Sequence, residues 1–170
     1  MKLILTGLTA LAILVSLACQ NNTSAQQTAA LYEQGKTPPG GKKVVKTEAE
    51  WRKLLTPDQF EVLRKHGTER AGTSPLLKIH EPGTFQCAAC KNPLFETKAK
   101  FESGTGWPSF FEPISKNAVK VAKDNTYGME RDEVVCSVCE GHLGHVFEDG
   151  PLPTGLRYCM NGVAMTFTKK

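Results

Sequence analysis

The chain has 170 residues, 40% of them hydrophobic, enough for one domain with a real core. Its formal net charge is +4, and the basic residues are scattered instead of gathered into a stripe. That distribution excludes an evident electrostatic footprint for nucleic acid and reads as ordinary solubility.

The first predicted element is a leader. Met1-Lys2 supplies a positive start, "LILTGLTALAILVSLA" from Leu3 to Ala18 is an apolar stretch of signal-peptide length, and Ala18 is a small residue before a cut, so residues 1–18 read as a signal peptide and the protein as exported. The run is too short and badly flanked for a membrane span. Leu17-Ala18-Cys19 resembles the end of a bacterial lipoprotein box, in which the cysteine is lipidated and becomes the mature N-terminus. Ser16 departs from the aliphatic residue usual there, which leaves ordinary cleavage as the alternative. The expected location is the periplasm or cell envelope, with membrane anchoring through lipid on Cys19.

Residues 19–46 are polar, small and broken by Pro38, Pro39, Gly40 and Gly41, a flexible tether that cannot bury enough apolar surface to fold alone. Two short helices follow. Thr47 with Glu50 makes a capping box ahead of Trp51, Leu54 and Leu55; Thr56 with Gln59 makes a second, with Pro57 at the first helical position. The second helix is expected to bury Phe60 and Leu63 and to stop at Gly67. Alternation from Ala118 to Lys123, a turn at Asp124-Asn125 and resumption from Tyr127 to Cys136 predict a hairpin, and "GHVFE" and "GVAMTFT" two more short strands. Residues 47–170 therefore read as one mainly antiparallel β domain with a small helical entry and no internal repeat.

Four of the six cysteines form two Cys-x-x-Cys pairs, Cys87/Cys90 and Cys136/Cys139. Such a knuckle points two thiolates at one place, and two knuckles complete the closed four-sulfur shell that Zn2+ favours, pinning distant parts of the sheet together. Two disulfides are the alternative in an oxidising compartment. Cys159, between Arg157 and Asn161, stands alone. It reads either as a small buried hydrophobe or as a nucleophile whose thiolate form Arg157 would favour.

Four segments, "CAACKNPLF", "FESGTGWPSFFEPI", "VCSVCEGHLGHVFEDGP" and "LRYCMNGVAMTF", together resemble the type B methionine sulfoxide reductases, enzymes that reduce the R epimer of methionine sulfoxide. The resemblance runs from about Trp51 to Phe167. It implies two antiparallel β-sheets with small helices outside, of the β-tent kind, one structural zinc on Cys87, Cys90, Cys136 and Cys139, and Cys159 as nucleophile. Sulfoxide oxygen is a poor leaving group, so attack needs a proton delivered to it. His142 and His145 are the candidate donors, with Asp149 orienting an imidazole or a water; metal ligation by the two histidines is the rival reading. Asn161 would hold the network together, or be a plain turn residue beside Gly162.

The same resemblance makes Trp107 the wall that receives the substrate's terminal methyl group; of the neighbouring Phe110 and Phe111, one is expected in the core and the other at the pocket edge, with Phe110 taken as the candidate substrate contact. Many family members carry a resolving cysteine where this chain has Thr105, so the sulfenic acid on Cys159 is expected to be reduced by an external thioredoxin-like donor. Cys19 would be a distant alternative. The implied partners are oxidised protein substrates and that reductant, the chain itself being a monomer. A zinc-ribbon binding module and a non-catalytic envelope lipoprotein are the competing functions.

Overall fold

A computed structural model describes residues 41–124 and 130–170. The predicted leader, Cys19, most of the tether and Asn125 of the predicted turn lie outside the described residues. Helix α1, Glu48–Leu54, starts as its box requires: the Thr47 hydroxyl accepts the Glu50 amide at 3.3 Å, and the Glu50 carboxylate accepts the Thr47 amide at 2.8 Å. Helix α2, Pro57–Lys65, repeats the pattern with Thr56 and Gln59, at 3.2 Å in both directions. It ends before the expected Gly67, because His66 adopts the left-handed conformation at φ 58° and closes the last turn. Trp51, Leu55, Phe60 and Leu63 are buried, as their spacing predicts. Leu54 is 59% exposed, since it ends a helix of only seven residues whose inward position is taken by Leu55.

The strands, numbered in chain order, form two antiparallel sheets. The first contains β1 (Gly83–Cys87), β2 (Pro93–Glu96) and β9 (Met165–Lys169), in the order β2-β1-β9. The second contains β3 (Lys100–Phe101), β4 (Ser109–Phe110), β5 (Val119–Asp124), β6 (Arg131–Cys136), β7 (His142–Phe147) and β8 (Arg157–Met160), in the order β3-β4-β8-β7-β6-β5. The expected mainly β architecture with two small helices is therefore the one observed. The β5–β6 hairpin forms, but Asp124 stays in the ladder opposite Arg131 instead of starting the turn. "GVA" is not strand: Gly162–Ala164 is a 3-10 turn, and β9 begins only at Met165.

The core lies between the sheets. Phe95 of β2 stacks on Phe110 of β4 with centroids 4.4 Å apart, and Phe85 of β1 meets the same ring edge-on at 4.9 Å. Leu94, Leu143 and Met160 are wholly buried around them. The knuckle Cys87–Cys90 turns β1 into β2, and Cys136–Cys139 turns β6 into β7, so each sheet contributes one knuckle. The chain before α1 is fastened to the second: the Val44 amide donates to Val138 O at 3.0 Å, and Lys43 Nζ to Ser137 O at 2.7 Å.

Candidate active site

The two knuckles are built alike. In the first, Cys87 N–H donates to Asn92 O and Lys91 N–H to Cys87 O; in the second, Cys136 N–H donates to Gly141 O and Glu140 N–H to Cys136 O, all at 2.9 Å. These bends bring Cys87 Sγ to 3.7 Å from Cys139 Sγ and Cys90 Sγ to 3.5 Å from Cys136 Sγ, with all four sulfurs within 4.8 Å. A disulfide would need about 2.05 Å, so the thiols are unbridged. Four Zn–S bonds of about 2.3 Å make a tetrahedron with edges of about 3.8 Å, which these separations match. Hydrogen bonds from Cys139, Cys87 and Cys90 hold the Cys136 thiol well below its ordinary range, and Asn92 Nδ2 also donates to its sulfur at 3.5 Å.

Cys159 is apart from this cluster, in the middle of the second sheet. Antiparallel register sets it directly opposite Ser109 of β4 on one side and His145 of β7 on the other. Facing residues in such a ladder share one face of the sheet, so thiol and imidazole emerge together. A cavity of about 140 Å3 opens there, lined among others by Trp107, His145, Phe147, Cys159 and Asn161. Larger depressions of about 580 and 660 Å3 elsewhere contain no cysteine or histidine. The Cys159 sulfur lies 3.8 Å from Thr105 Oγ1, and Thr105 continues through Ser103 to Ser109 by hydroxyl contacts of 2.8 and 2.7 Å.

The polar groups sort themselves by partner. Arg157 forms a two-pronged ion pair with Asp149, 2.8 Å on each prong, lies over the Phe147 ring, and has its charge reinforced by Asp149 and also by Cys159. Asp149 thus serves the guanidinium and does not orient an imidazole. His145 directs Nε2 to Asp124 Oδ2 at 2.9 Å, and the same oxygen takes Arg131 at 2.8 Å. His142 is 2% exposed and gives Nδ1 to Glu133 at 2.6 Å; His66 Nδ1 meets the same carboxylate oxygen at 2.8 Å. Burial, only partly offset by Glu133, pushes the His142 imidazole below its ordinary range and keeps it neutral. Neither candidate histidine joins the sulfur cluster.

The model of the SelR-domain family matches residues 55–169. The chain belongs to this family. A peptide methionine sulfoxide reductase MsrB of Agrobacterium fabrum is 55% identical over 74% of this chain and 93% of its own. Namesakes from Leptospira interrogans and Methanosarcina barkeri are 52% and 56% identical, over 75% and 74% of this chain and 97% and 89% of theirs. A solved Mis18 "Yippee-like" domain overlays 53% of this chain and 98% of its own at a TM-score of 0.43 and 18% identity, too loosely to bear on the site. In this SelR domain the four knuckle cysteines hold a single structural zinc, whose sulfur shell leaves no open position for substrate.

The SelR site also corrects the sequence reading at Phe110. That ring is wholly buried between Phe95 and Phe85, because Ser109, not Phe110, shares the face of Cys159; Phe147 lines the cavity in its place. Trp107 lines the Cys159 cavity, its indole N–H donating to Glu69 O at 3.1 Å. Asn161 is locked instead of free, donating to Leu143 O at 3.2 Å and accepting the Glu69 amide at 3.0 Å. Asp124, Arg131, Glu133 and Glu69 were missed, and no local motif marks them.

Gly144, one residue before His145 in β7, has no room for a side chain: an added Cβ would stand 2.1 Å from the Cys159 carbonyl oxygen. Gly144→Ala must therefore push β8 away from β7. It is expected to destabilise the SelR domain by about 2 kcal/mol or more through overpacking and to slow reaction at Cys159 by separating it from His145. Urea unfolding and thiol-trapping rates check this; a variant with wild-type values of both would show that the strands do not approach so closely.

Proposed function

We propose that Cys159 attacks the sulfur of methionine (R)-sulfoxide in oxidised proteins while His145 protonates the oxygen. The S–O bond breaks, the sulfoxide leaves as the thioether methionine, and the oxygen and proton remain on Cys159 as a sulfenic acid, so the sulfoxide is reduced and the cysteine oxidised. The observation that carries this reading is the pairing of Cys159 with His145 across two strands, inside a cavity that holds the one described cysteine outside the metal cluster. With Nε2–H directed to Asp124, the imidazolium form of His145 carries its second proton on Nδ1, the atom that hands it to the sulfoxide oxygen, leaving a neutral imidazole with Nε2–H still on Asp124. His142, buried behind it with ring centroids 5.3 Å apart, braces that ring instead.

Trp107 and Phe147 offer apolar faces for the S-methyl group, so one epimer can present its oxygen to His145 while its methyl lies on the rings. Arg157 supplies positive charge beside the attacking sulfur. Thr105 contacts that sulfur but contains no thiol, so among the described residues nothing can resolve the sulfenic acid. A thiol of an external thioredoxin-like protein condenses with it, releasing water and leaving a mixed disulfide, and a second thiol of the donor frees Cys159. The sequence of the leader supports export and a lipid anchor on Cys19.

The reading is tested by single-turnover assays with peptides carrying separate R and S sulfoxide epimers. The R epimer should be consumed in an amount equal to the enzyme and the S epimer left intact. Equal consumption of both would end the assignment.

A further inference from the structure

The loop after α2 carries a residue whose contacts converge on both halves of the site. Glu69 touches neither Cys159 nor His145, and its contacts go to the groups that frame them. Its carbonyl oxygen takes the Trp107 indole N–H at 3.1 Å, and its amide donates to Asn161 Oδ1 at 3.0 Å. Its carboxylate accepts two successive backbone amides, those of Gly162 through Oε1 and of Val163 through Oε2 at 2.9 Å. Gly162 and Val163 begin the 3-10 turn that directly follows Asn161 and the strand of Cys159. The fit there is close: a Cβ on Gly162 would stand 1.8 Å from Ser74 Oγ and 3.3 Å from Glu69 Oε1.

We infer that Glu69 is the positioning residue of this site, setting the distance between the Trp107 wall and the Cys159 strand by clamping the Gly162–Val163 amides with its side chain while its backbone holds the indole and Asn161. The chemistry supports a fixed separation. A carboxylate receiving two backbone N–H groups is a charge-assisted, two-pronged contact with little freedom to shift. Because one residue serves both ends, any movement of its side chain is passed to its own carbonyl and amide, and so to the indole. An epimer-selective pocket needs its methyl-binding face held to a fraction of an ångström relative to the nucleophile. Gln at this position keeps the shape but turns an NH2 group toward one of the two amides. Asp keeps the charge but reaches only one.

This inference rests on the proposed reductase reading for its kinetic arm, and it has a second arm that does not. In 15N-labelled protein the two tryptophans give two indole N–H signals, assigned by Trp107→Phe. In Glu69→Gln and Glu69→Asp the Trp107 signal is expected to shift and its exchange with solvent to accelerate at least about tenfold, while the Trp51 signal and one zinc per chain persist. With the R-sulfoxide peptide, KM should rise and kcat/KM fall about 10- to 100-fold, and discrimination against the S epimer should shrink. The rate at which iodoacetamide alkylates Cys159 should stay within about threefold, a result that general loosening of the strand would not give. Unchanged indole exchange in both variants overturns the inference. So does unchanged kcat/KM with the R epimer. If wild-type protein reduces neither epimer, the reductase reading fails, and the indole signals alone decide the role of Glu69. If Gln prevents folding, Asp decides by the same signals.

Discussion

Cys159→Ser is expected to reduce methionine (R)-sulfoxide at least about a thousandfold more slowly than the parent chain, a loss of about 4 kcal/mol of barrier lowering. A serine hydroxyl is not ionised at neutral pH and is a far weaker nucleophile toward a sulfoxide sulfur than a thiol, and in the proposed reaction His145 holds on Nδ1 the proton destined for the sulfoxide oxygen, so it cannot at the same time deprotonate a hydroxyl. The substitution leaves the four-sulfur cluster untouched, so zinc content and melting temperature should match wild type. Single-turnover release of methionine measures the rate. A sulfenic-acid trapping reagent with mass spectrometry locates the oxygen, which should appear on Cys159 after one exposure to substrate. A serine variant within tenfold of wild type, or a label on another cysteine, would remove Cys159 from the mechanism.

The second large effect is structural. Withdrawing zinc by chelation, or breaking the shell with Cys136→Ser, should unfold residues 47–170 instead of merely slowing them. Structural zinc on cysteines contributes about 10–16 kcal/mol at neutral pH, whereas a whole domain is stable by only about 5–15 kcal/mol, so the metal outweighs or equals everything else. The topology makes this concrete, because one knuckle belongs to each sheet, and Cys87, Cys136 and Cys139 are buried together. Without the ion four packed thiols would face one another, with hydrogen bonds among them pushing Cys87 up and Cys136 down, a poor substitute for coordination. Loss of dispersed amide signals on metal removal, restored by adding Zn2+, is the expected result. A metal-free chain that keeps its dispersion and melts within a few degrees of the loaded one would show that the sheets hold without it.

What could be read from the sequence was what short spacing encodes. The capping boxes at Thr47 and Thr56, the paired knuckles, the β5–β6 hairpin and the isolation of Cys159 are all patterns within a few residues, and each reappears in the fold. The errors came where register or a distant loop decides. Phe110 and Ser109 are adjacent in sequence, and only their alignment with Tyr158 and Cys159 sends one ring to the core and the neighbouring hydroxyl to the site. Asp149 is close to His145 along the chain, yet Arg157 claims it across the β7–β8 pair, and Asp124, 21 residues away, takes the imidazole. The two histidines illustrate the same limit. A spacing of three in a flat strand sends side chains to opposite faces, but the register shift beside Val134 and Val135 brings the rings within 5.3 Å.

Of the four zinc ligands, Cys90 is the one only half-buried. Peroxide or hypochlorous acid reaching that sulfur would convert a metal-bound thiolate into an oxidised group that no longer ligates, and the released ion would take the fold with it. A catalyst of oxidative repair therefore wears its own fuse: oxidation of the ligand at Cys90 ends its working life by melting the fold, a loss that no thiol donor acting on Cys159 can reverse.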